Sequence, residues 1–378
     1  MAKFVRKFTK RVFIISNILV AVFFLLACTN IFLNPQHWWL IAILGLAFPF
    51  LLLLVIAFLI LWLIFRSRWA YLPMALLLIA FTNIRALIGF HFFSDFKQEK
   101  DTGNIRILTW NVMWFDEQTK PDKTLKPRRK EMMDFIKNQE ADVLCFQEFL
   151  EGNSEKKISY SNIDEITKLG FPYHYWVKDY EIRWGLYHAG TAIFSKYPIM
   201  DSIRIQYDGP RKERAAESLI AVDLTINNKI IRVYTTHLQS ILFKKDDYHK
   251  LEIIRKADDS MVEASKSILR KLKAGYYFRG DQAERVRSQL DESPYPEIIC
   301  GDFNDVPNSY TYFTIKGNRQ DAFIEKGSWI GRTYNKVSPT LRIDYIMANK
   351  KLKVTQVKRV ILPYSDHYPV IADLKLVE

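Results

Sequence analysis

The sequence predicts an α/β sandwich, two sheets inside and helices outside, carried behind three membrane spans. Three observations predict it. The first 94 residues contain no Asp or Glu and are dominated by three long apolar stretches. From Ile105 onward, short apolar runs alternate with amphipathic stretches. Polar clusters recur where the apolar runs end, and loops at strand ends are where layered α/β folds collect their chemistry.

The apolar stretches run from Val12 to Leu33, from Trp38 to Phe65 and from Trp69 to Phe93. Each meets the roughly 20-residue length of a helix crossing a bilayer. Trp38, Trp39, Trp69 and Tyr71 sit at span ends, where interfacial aromatics collect. Basic residues from Lys3 to Arg11 precede the first span, and Arg66 and Arg68 separate the second from the third. The turn Asn34 to His37 has neither Lys nor Arg. The positive-inside rule then puts the N-terminus in the cytoplasm and everything after about residue 94 outside it. The expectation is an integral protein of a bacterial inner membrane. Asn83 and Arg85 weaken the third span, although Arg85 is near enough to the outer end to snorkel. "LLAC", ending at Cys28, has the form of a lipoprotein signal, but the two spans behind it argue for an ordinary anchor helix.

The chain of 378 residues carries a formal charge of +13. Eight of those charges lie before residue 95, leaving +5 for the rest. So mild a balance does not by itself indicate a nucleic-acid partner. The three cysteines form no paired framework and no CxxC, which argues against zinc held through sulfur. Cys145 and Cys300 lie in apolar runs and read as small buried hydrophobes.

Residues 95–103 read as a polar linker and 104–378 as the second domain. Strands are expected at Ile105–Trp110, Val143–Gln147, Thr191–Ser195, Leu219–Ile226, Ile230–Thr236, Glu297–Cys300, Ile343–Met347 and Val370–Leu376. Helices are expected at Pro127–Gln139, Asn162–Leu169 and Asp281–Asp291. Residues 238–295 look like an insertion, partly helical, in which Lys, Arg and aromatics interleave. That composition suits a phosphate backbone, a lipid headgroup surface or a solvated helix pair with one packed face. A second basic loop runs from Tyr207 to Ser218.

The strand-end clusters hold Asn111, Glu148, His237, Asp302 with Asn304, Asp344, and Asp366 with His367. Singly, each also reads as a turn residue, a strand exit or a core histidine. Six such clusters in one alternating chain are harder to explain that way. Carboxylates and amides without thiolates suit a hard divalent cation, Mg²⁺ or Mn²⁺. Histidines beside them suit phosphate oxygens, and an acid near an amide suits a polarised water. Asp344, flanked by Ile343 and Tyr345, needs a partner if it is buried. Gly301 is expected to let the backbone turn sharply after the strand.

"TWNVMWF", "FQEF", "TTHLQ", "GDFND", "RIDYI" and "SDHYP", in that order, resemble the exonuclease–endonuclease–phosphatase superfamily of metal-dependent phosphoesterases. That superfamily includes deoxyribonucleases, apurinic-site endonucleases, inositol-polyphosphate phosphatases and neutral sphingomyelinases. The resemblance covers roughly residues 104–378. It implies a four-layer α/β/β/α sandwich, here preceded by three transmembrane helices. It implies Glu148, Asn111 and Asp366 at the metal, Asp302 activating water and Asn304 positioning it. His367 would bind the scissile phosphate, oriented by Asp344. His237 matches the deoxyribonuclease and sphingomyelinase pattern and tilts against the apurinic-site branch. The implied activity is phosphodiester hydrolysis, nuclease-like, with a phospholipid or other membrane phosphodiester as the alternative. A non-catalytic phosphate-binding module is disfavoured, because no key acid is missing. No protein partner is deducible.

Overall fold

The computed structural model describes residues 2–92, 95–116, 128–156, 161–208, 216–243, 245–256, 258 and 260–377. Most of the basic loop from Tyr207 to Ser218 lies outside them. Two helices, α1 (Ala2–Cys28) and α2 (Pro35–Ile64), are long and apolar enough to cross a membrane. The third apolar stretch is not the continuous helix the sequence suggested. It forms α3 (Tyr71–Ile79) and α4 (Phe81–Leu87), with a 63° bend between them. The bundle therefore offers two spans, or three if the bent pair counts as one. Beyond the bend, Asn83 faces inward and is buried. Its side chain donates to the Cys28 carbonyl at 3.3 Å and to Asn308 Oδ1 at 2.6 Å. A polar side chain in an apolar bundle needs such partners.

The chain leaves α4 as a short strand, β1 (Gly89–Phe90), which pairs with β12 (Ser328–Trp329). The polar stretch after it lies against the body of the protein. Lys97 N donates to Gln356 Oε1 at 2.9 Å, and the Arg106 guanidinium stacks over Phe96.

The remaining strands are β2 (Asn104–Asn111), β3 (Val143–Gly152), β4 (Tyr173–Trp176), β5 (Tyr180–Ile182), β6 (Tyr187–Ser195), β7 (Ile199–Ile205), β8 (Glu217–Ile226), β9 (Lys229–His237), β10 (Glu297–Asp302), β11 (Gln320–Asp321), β13 (Asp344–Ala348), β14 (Leu352–Arg359) and β15 (Val370–Leu376). One sheet has the order β14-β15-β2-β3-β6-β4, with β5 also on β6; the other has β11-β13-β10-β9-β8-β7. Ile107, Val143, Val222, Val233, Ile298 and Ala372 belong to the apolar layer between them. Gln147 ties the sheets near the site, donating to Thr109 Oγ1 at 3.2 Å and Thr235 Oγ1 at 2.9 Å. Helices α5 (Arg129–Lys137) and α6 (Asn162–Lys168) cover the outer face of the first sheet. Helices α8 (Met261–Asp291) and α9 (Tyr310–Lys316) cover that of the second. This is the expected four-layer α/β/β/α sandwich.

The insertion folds as α7 (Lys245–Lys256) followed by α8, whose 31 residues extend far N-terminal of the expected Asp281–Asp291. Its packed face meets the bundle. Ile268, Leu272 and Tyr276 of α8 pack with Trp39, Ala42, Ile43 and Leu46 of α2. At 30 residues, α2 is about 45 Å long. A hydrocarbon core takes about 30 Å of that, so roughly the first ten residues are free to rest on the sandwich. Gly45 permits close contact there, because a Cβ would stand 2.5 Å from the Asn308 carbonyl oxygen.

Replacing Asn83 by Ala leaves Asn308 Oδ1 buried without its donor. We expect a loss of about 1–3 kcal/mol, read as a lower thermal midpoint of the full chain in detergent. An unchanged midpoint would show that the contact is not stabilising.

Candidate active site

The site forms where strand ends from both sheets meet. Parallel pairing of β9 and β10 sets His237 beside Asp302. Antiparallel pairing of β10 and β13 sets Asp344 on the other side of Asp302. In the facing sheet, β2 and β3 pair in parallel, so Asn111 stands beside Gln147, with Glu148 next along β3. Asn111 links the groups: its Nδ2 donates to Glu148 Oε1 at 3.1 Å and to Asp302 Oδ2 at 3.2 Å.

Gly301 does not make the turn expected of it. It lies inside β10, which runs on through Asp302, at φ 134°. A Cβ there would run into the carbonyl oxygen of Thr236, so glycine is what lets β9 and β10 close up. The turn falls on Asn304, at φ 51°. Asn304 N donates to Asp302 Oδ1 at 2.8 Å, and its Nδ2 is tied to the Leu238 carbonyl at 2.9 Å. Glu148 is also left-handed, at φ 50°, so two of the eight candidate residues sit on strained backbone. Met113 to Asp116, just past Asn111, are left-handed as well.

The buried charges are arranged in opposite-sign pairs. His367 Nδ1 lies 3.0 and 3.1 Å from the Asp344 oxygens, and its Nε2 lies 3.6 Å from Asp302 Oδ2. His237 Nε2 also lies 3.6 Å from Asp302 Oδ2, while its Nδ1 is 3.4 Å from Glu217 Oε2 without forming a hydrogen bond. Burial alone would push the His237 pKa down. The Glu217 carboxylate, then Asp302 and Glu148, outweigh burial and lift it to about 9. Burial likewise opposes charge on His367, but Asp344 and Asp302 hold it well above the ordinary histidine range. Burial pushes Asp302 up and Asp344 adds to that, while the two histidines pull it back.

Two places are candidates for a cation. Ligand atoms of Asp302, Asp344 and His367 all lie within 4.8 Å of one another. In that trio, however, the His367 Nδ1 contact with Asp344 already pairs the groups. The second place is around Glu148, with Asn111 beside it. Burial first, and then the nearby carboxylates Glu217 and Asp366, drive the Glu148 pKa up to about 7 despite His237. A carboxyl raised in this way is short of positive charge. An all-oxygen donor set fits a hard divalent cation.

All eight sequence-derived residues thus fall in one region. Asp366 enters through its charge on Glu148 and through its backbone carbonyl, which accepts from Asn335 N at 2.8 Å. The sequence reading missed Glu217. It sits at the end of a basic loop, and its only signal is an acid opening an otherwise apolar strand. Its carboxylate also accepts from Glu148 N at 2.9 Å. Tyr334 and Tyr248 were missed too. The Tyr334 ring lies 4.9 Å from that of His367, and its hydroxyl meets that of Tyr248 on α7 at 2.9 Å.

Residues 108–367 match the endonuclease/exonuclease/phosphatase family. The chain belongs to that family, whose members hydrolyse phosphoester bonds and are typically dependent on divalent metal. Residues 10–87 match a second family, described as a domain of unknown function (DUF8431). No curated protein matches the sequence. Among solved structures, the chain resembles an endonuclease/exonuclease/phosphatase from Beutenbergia cavernae, with 18% identity, 72% of each chain covered and a TM-score of 0.52. A family protein from Leptotrichia buccalis matches at 17% identity over 72% of this chain and all of that one, with a TM-score of 0.50. The human Nocturnin catalytic domain, solved with a bound sulfate anion, matches at 17% identity over 73% of this chain and 94% of its own, with a TM-score of 0.50. At these identities the likeness is one of fold.

Changing Glu217 to Gln removes the largest influence that raises the His237 pKa. In the metal-free protein, NMR titration should show His237 falling from about 9 toward or below its ordinary value. A raised histidine pKa stabilises the fold fully below about pH 6.5, and that contribution disappears as pH climbs through about 9. The variant should therefore lose stability at pH 6 and lose little at pH 10. An unmoved His237 titration would contradict this account of the pair.

Proposed function

We propose that this protein is a membrane-embedded, divalent-metal-dependent hydrolase of phosphodiesters presented at the membrane surface, with phospholipid as the substrate class. Glu148, Asn111 and Asp366 would hold the cation, Mg²⁺ or Mn²⁺. Such a cation polarises a phosphoryl oxygen and offsets the charge that builds on it. Asp302 takes the proton of the attacking water. Asn304, tied to Leu238 and to Asp302, fixes the position of that water. His367, oriented by Asp344, and His237, paired with Glu217, turn positive charge toward the phosphate oxygens.

One observation carries the choice of substrate. Asn308 is hydrogen-bonded to Asn83, and its Nδ2 donates to the Ala27 carbonyl at the end of α1 at 3.0 Å. Asp302 is six residues earlier in the chain. Six residues span at most about 20 Å. The catalytic acid is thus close to the outer end of the bundle, where lipid headgroups lie. The basic insertion is compatible with the nucleic-acid reading, but most of its cations are already paired. Lys250 and Lys271 meet Asp247, Lys256 meets Glu252, Arg279 meets Asp305, and Arg285 and Arg287 meet Asp281 and Asp291.

The test uses the full-length chain with Mg²⁺ or Mn²⁺, plasmid DNA and mixed phospholipid vesicles in one tube. We expect headgroup release, reduced about 10²-fold or more by Asp302→Asn, with no matching nicking. Nicking that vanishes in the variant, without headgroup release, would make the protein a tethered nuclease instead. For orientation, a reporter active only outside the cytoplasm, fused after residue 100, should give signal. Silence would place the sandwich in the cytoplasm.

A further inference from the structure

A second cavity lies away from the catalytic candidates. It measures about 510 Å³, and Phe96, Phe323, Trp329, Arg332, Lys358 and Arg359 are among the residues lining it. Arg332, Lys358 and Arg359 bring three positive charges to it. Among the described residues, their hydrogen-bond acceptors are all uncharged, although the Asp373 carboxylate acts on Lys358. Arg332 Nη2 donates to the Tyr368 hydroxyl at 3.3 Å, Arg359 Nη1 to the Arg332 carbonyl at 2.6 Å, and Lys358 Nζ to Gln98 Oε1 at 3.1 Å. Both guanidiniums lie over the same ring, that of Tyr368, at 5.8 and 5.6 Å. Burial, and then the charge of Arg332, pull the Arg359 pKa below its ordinary value despite Tyr368. Two half-buried like charges with no counter-anion are unfavourable, and an anion between them relieves the strain. Guanidiniums suit phosphate in particular, because their planar forks donate in pairs.

The cavity also adjoins the bundle. Ile330, in its wall, packs against the bundle core that includes Ala80 and Leu87. Gly327 accepts from His91 N, and Trp329 pairs with Gly89 as the chain leaves α4. Trp329 is 70% exposed, with its ring 5.1 Å from that of Phe92. Arg85, on the last turn of α4, reaches over Phe90. Exposed aromatics beside cations at the end of an apolar helix are the composition of a membrane interface.

We propose that this cavity receives the phosphate headgroup of an anionic phospholipid from the leaflet on which the sandwich rests. Arg332 and Arg359 hold the phosphate, Lys358 flanks it, and Trp329 lies at the acyl boundary. The proposal rests on the bundle being embedded in a membrane and requires no hydrolysis. The cavity would seat the sandwich at a second point, apart from the contact at Asn308.

Native mass spectrometry of the full-length protein tests this. The protein is held in detergent micelles doped with equal phosphatidylglycerol and phosphatidylcholine, with inorganic phosphate added in a separate arm. The wild type should retain phosphatidylglycerol over phosphatidylcholine by roughly tenfold. Arg332→Gln should bring that preference close to unity, and Arg332→Lys should restore part of it. Trp329→Ala should weaken retention of both lipids alike. Arg332→Gln is the deciding variant, because among the described residues its guanidinium hydrogen-bonds only to the Tyr368 hydroxyl. A thermal midpoint equal to wild type checks its fold. Wild-type preference surviving in Arg332→Gln would overturn the proposal. So would phosphate retention with no lipid preference, which would mark a free-anion site. The readout needs no turnover, so a protein that hydrolyses nothing still decides it.

Discussion

The centre of this molecule depends on setting two buried histidines, His237 and His367, among buried carboxylates. Asp302 is walled in by both sheets and stands beside Asp344 on the paired strand β13. Alone, it would take up a proton or resist burial. It is flanked by His237 and His367, each at 3.6 Å. Those rings keep their charge because a second acid stands behind each, Glu217 behind one and Asp344 behind the other. The chain of alternating charges therefore spans four strands. It holds only in one register, since a one-residue slip of a strand would turn its side chain to the opposite face. Gly301 makes that register possible by letting β9 and β10 approach.

The same logic governs the join between bundle and sandwich. Amides are poor company for an apolar helix unless each hydrogen bond is made. Asn30, Asn83 and Asn308 are all buried at this join, and each donates to a partner. Polar pairs of this kind fix orientation as apolar packing does not, because a rotated interface would leave them unmatched. The bundle and the loop following Asp302 are thus held in one arrangement. A flexible tether would leave the site free to face in any direction. This join does not, because it fixes the loop after Asp302 against the helices.

The sequence disclosed most where chemistry is concentrated. Asp302, Asp344, His237 and His367 are legible only as members of a set, because six polar clusters at strand ends in one alternating chain are harder to explain as turns than any one of them, and the sandwich follows from the alternation of runs. Legibility failed where the signal depends on a distant partner. Glu217 looks like one more charge in a basic loop until β8 pairs with β9 and brings it to His237. Strands β7 and β14 were missed because they are edge strands, partly open to solvent, so charged residues interrupt the apolar pattern. The bend after α3 was hidden for a related reason. Hydropathy counts apolar residues, and Asn83 turns inward to meet Asn308, more than two hundred residues away in the chain.

The insertion shows how composition can mislead about function. Its Lys, Arg and aromatic residues suit a phosphate backbone, yet most of the cations are matched by acids on α7, on α8 or in the loop beyond β10. Part of its apolar face meets α2, and the rest, Ala283, Val286 and Leu290, covers the second sheet. Tyr276 and Leu272 form part of a shared core with Trp39 and Ala42, and Arg279 is buried against Asp305. Positive charge that is neutralised within its own element contributes little to an outside field, whatever the net count. Arg332, Lys358 and Arg359, which form no ion pair among the described residues, lie together in one cavity wall that adjoins the bundle through Ile330. The join that docks the sandwich on its helices thus sets this cluster beside an apolar bundle rather than beside the insertion.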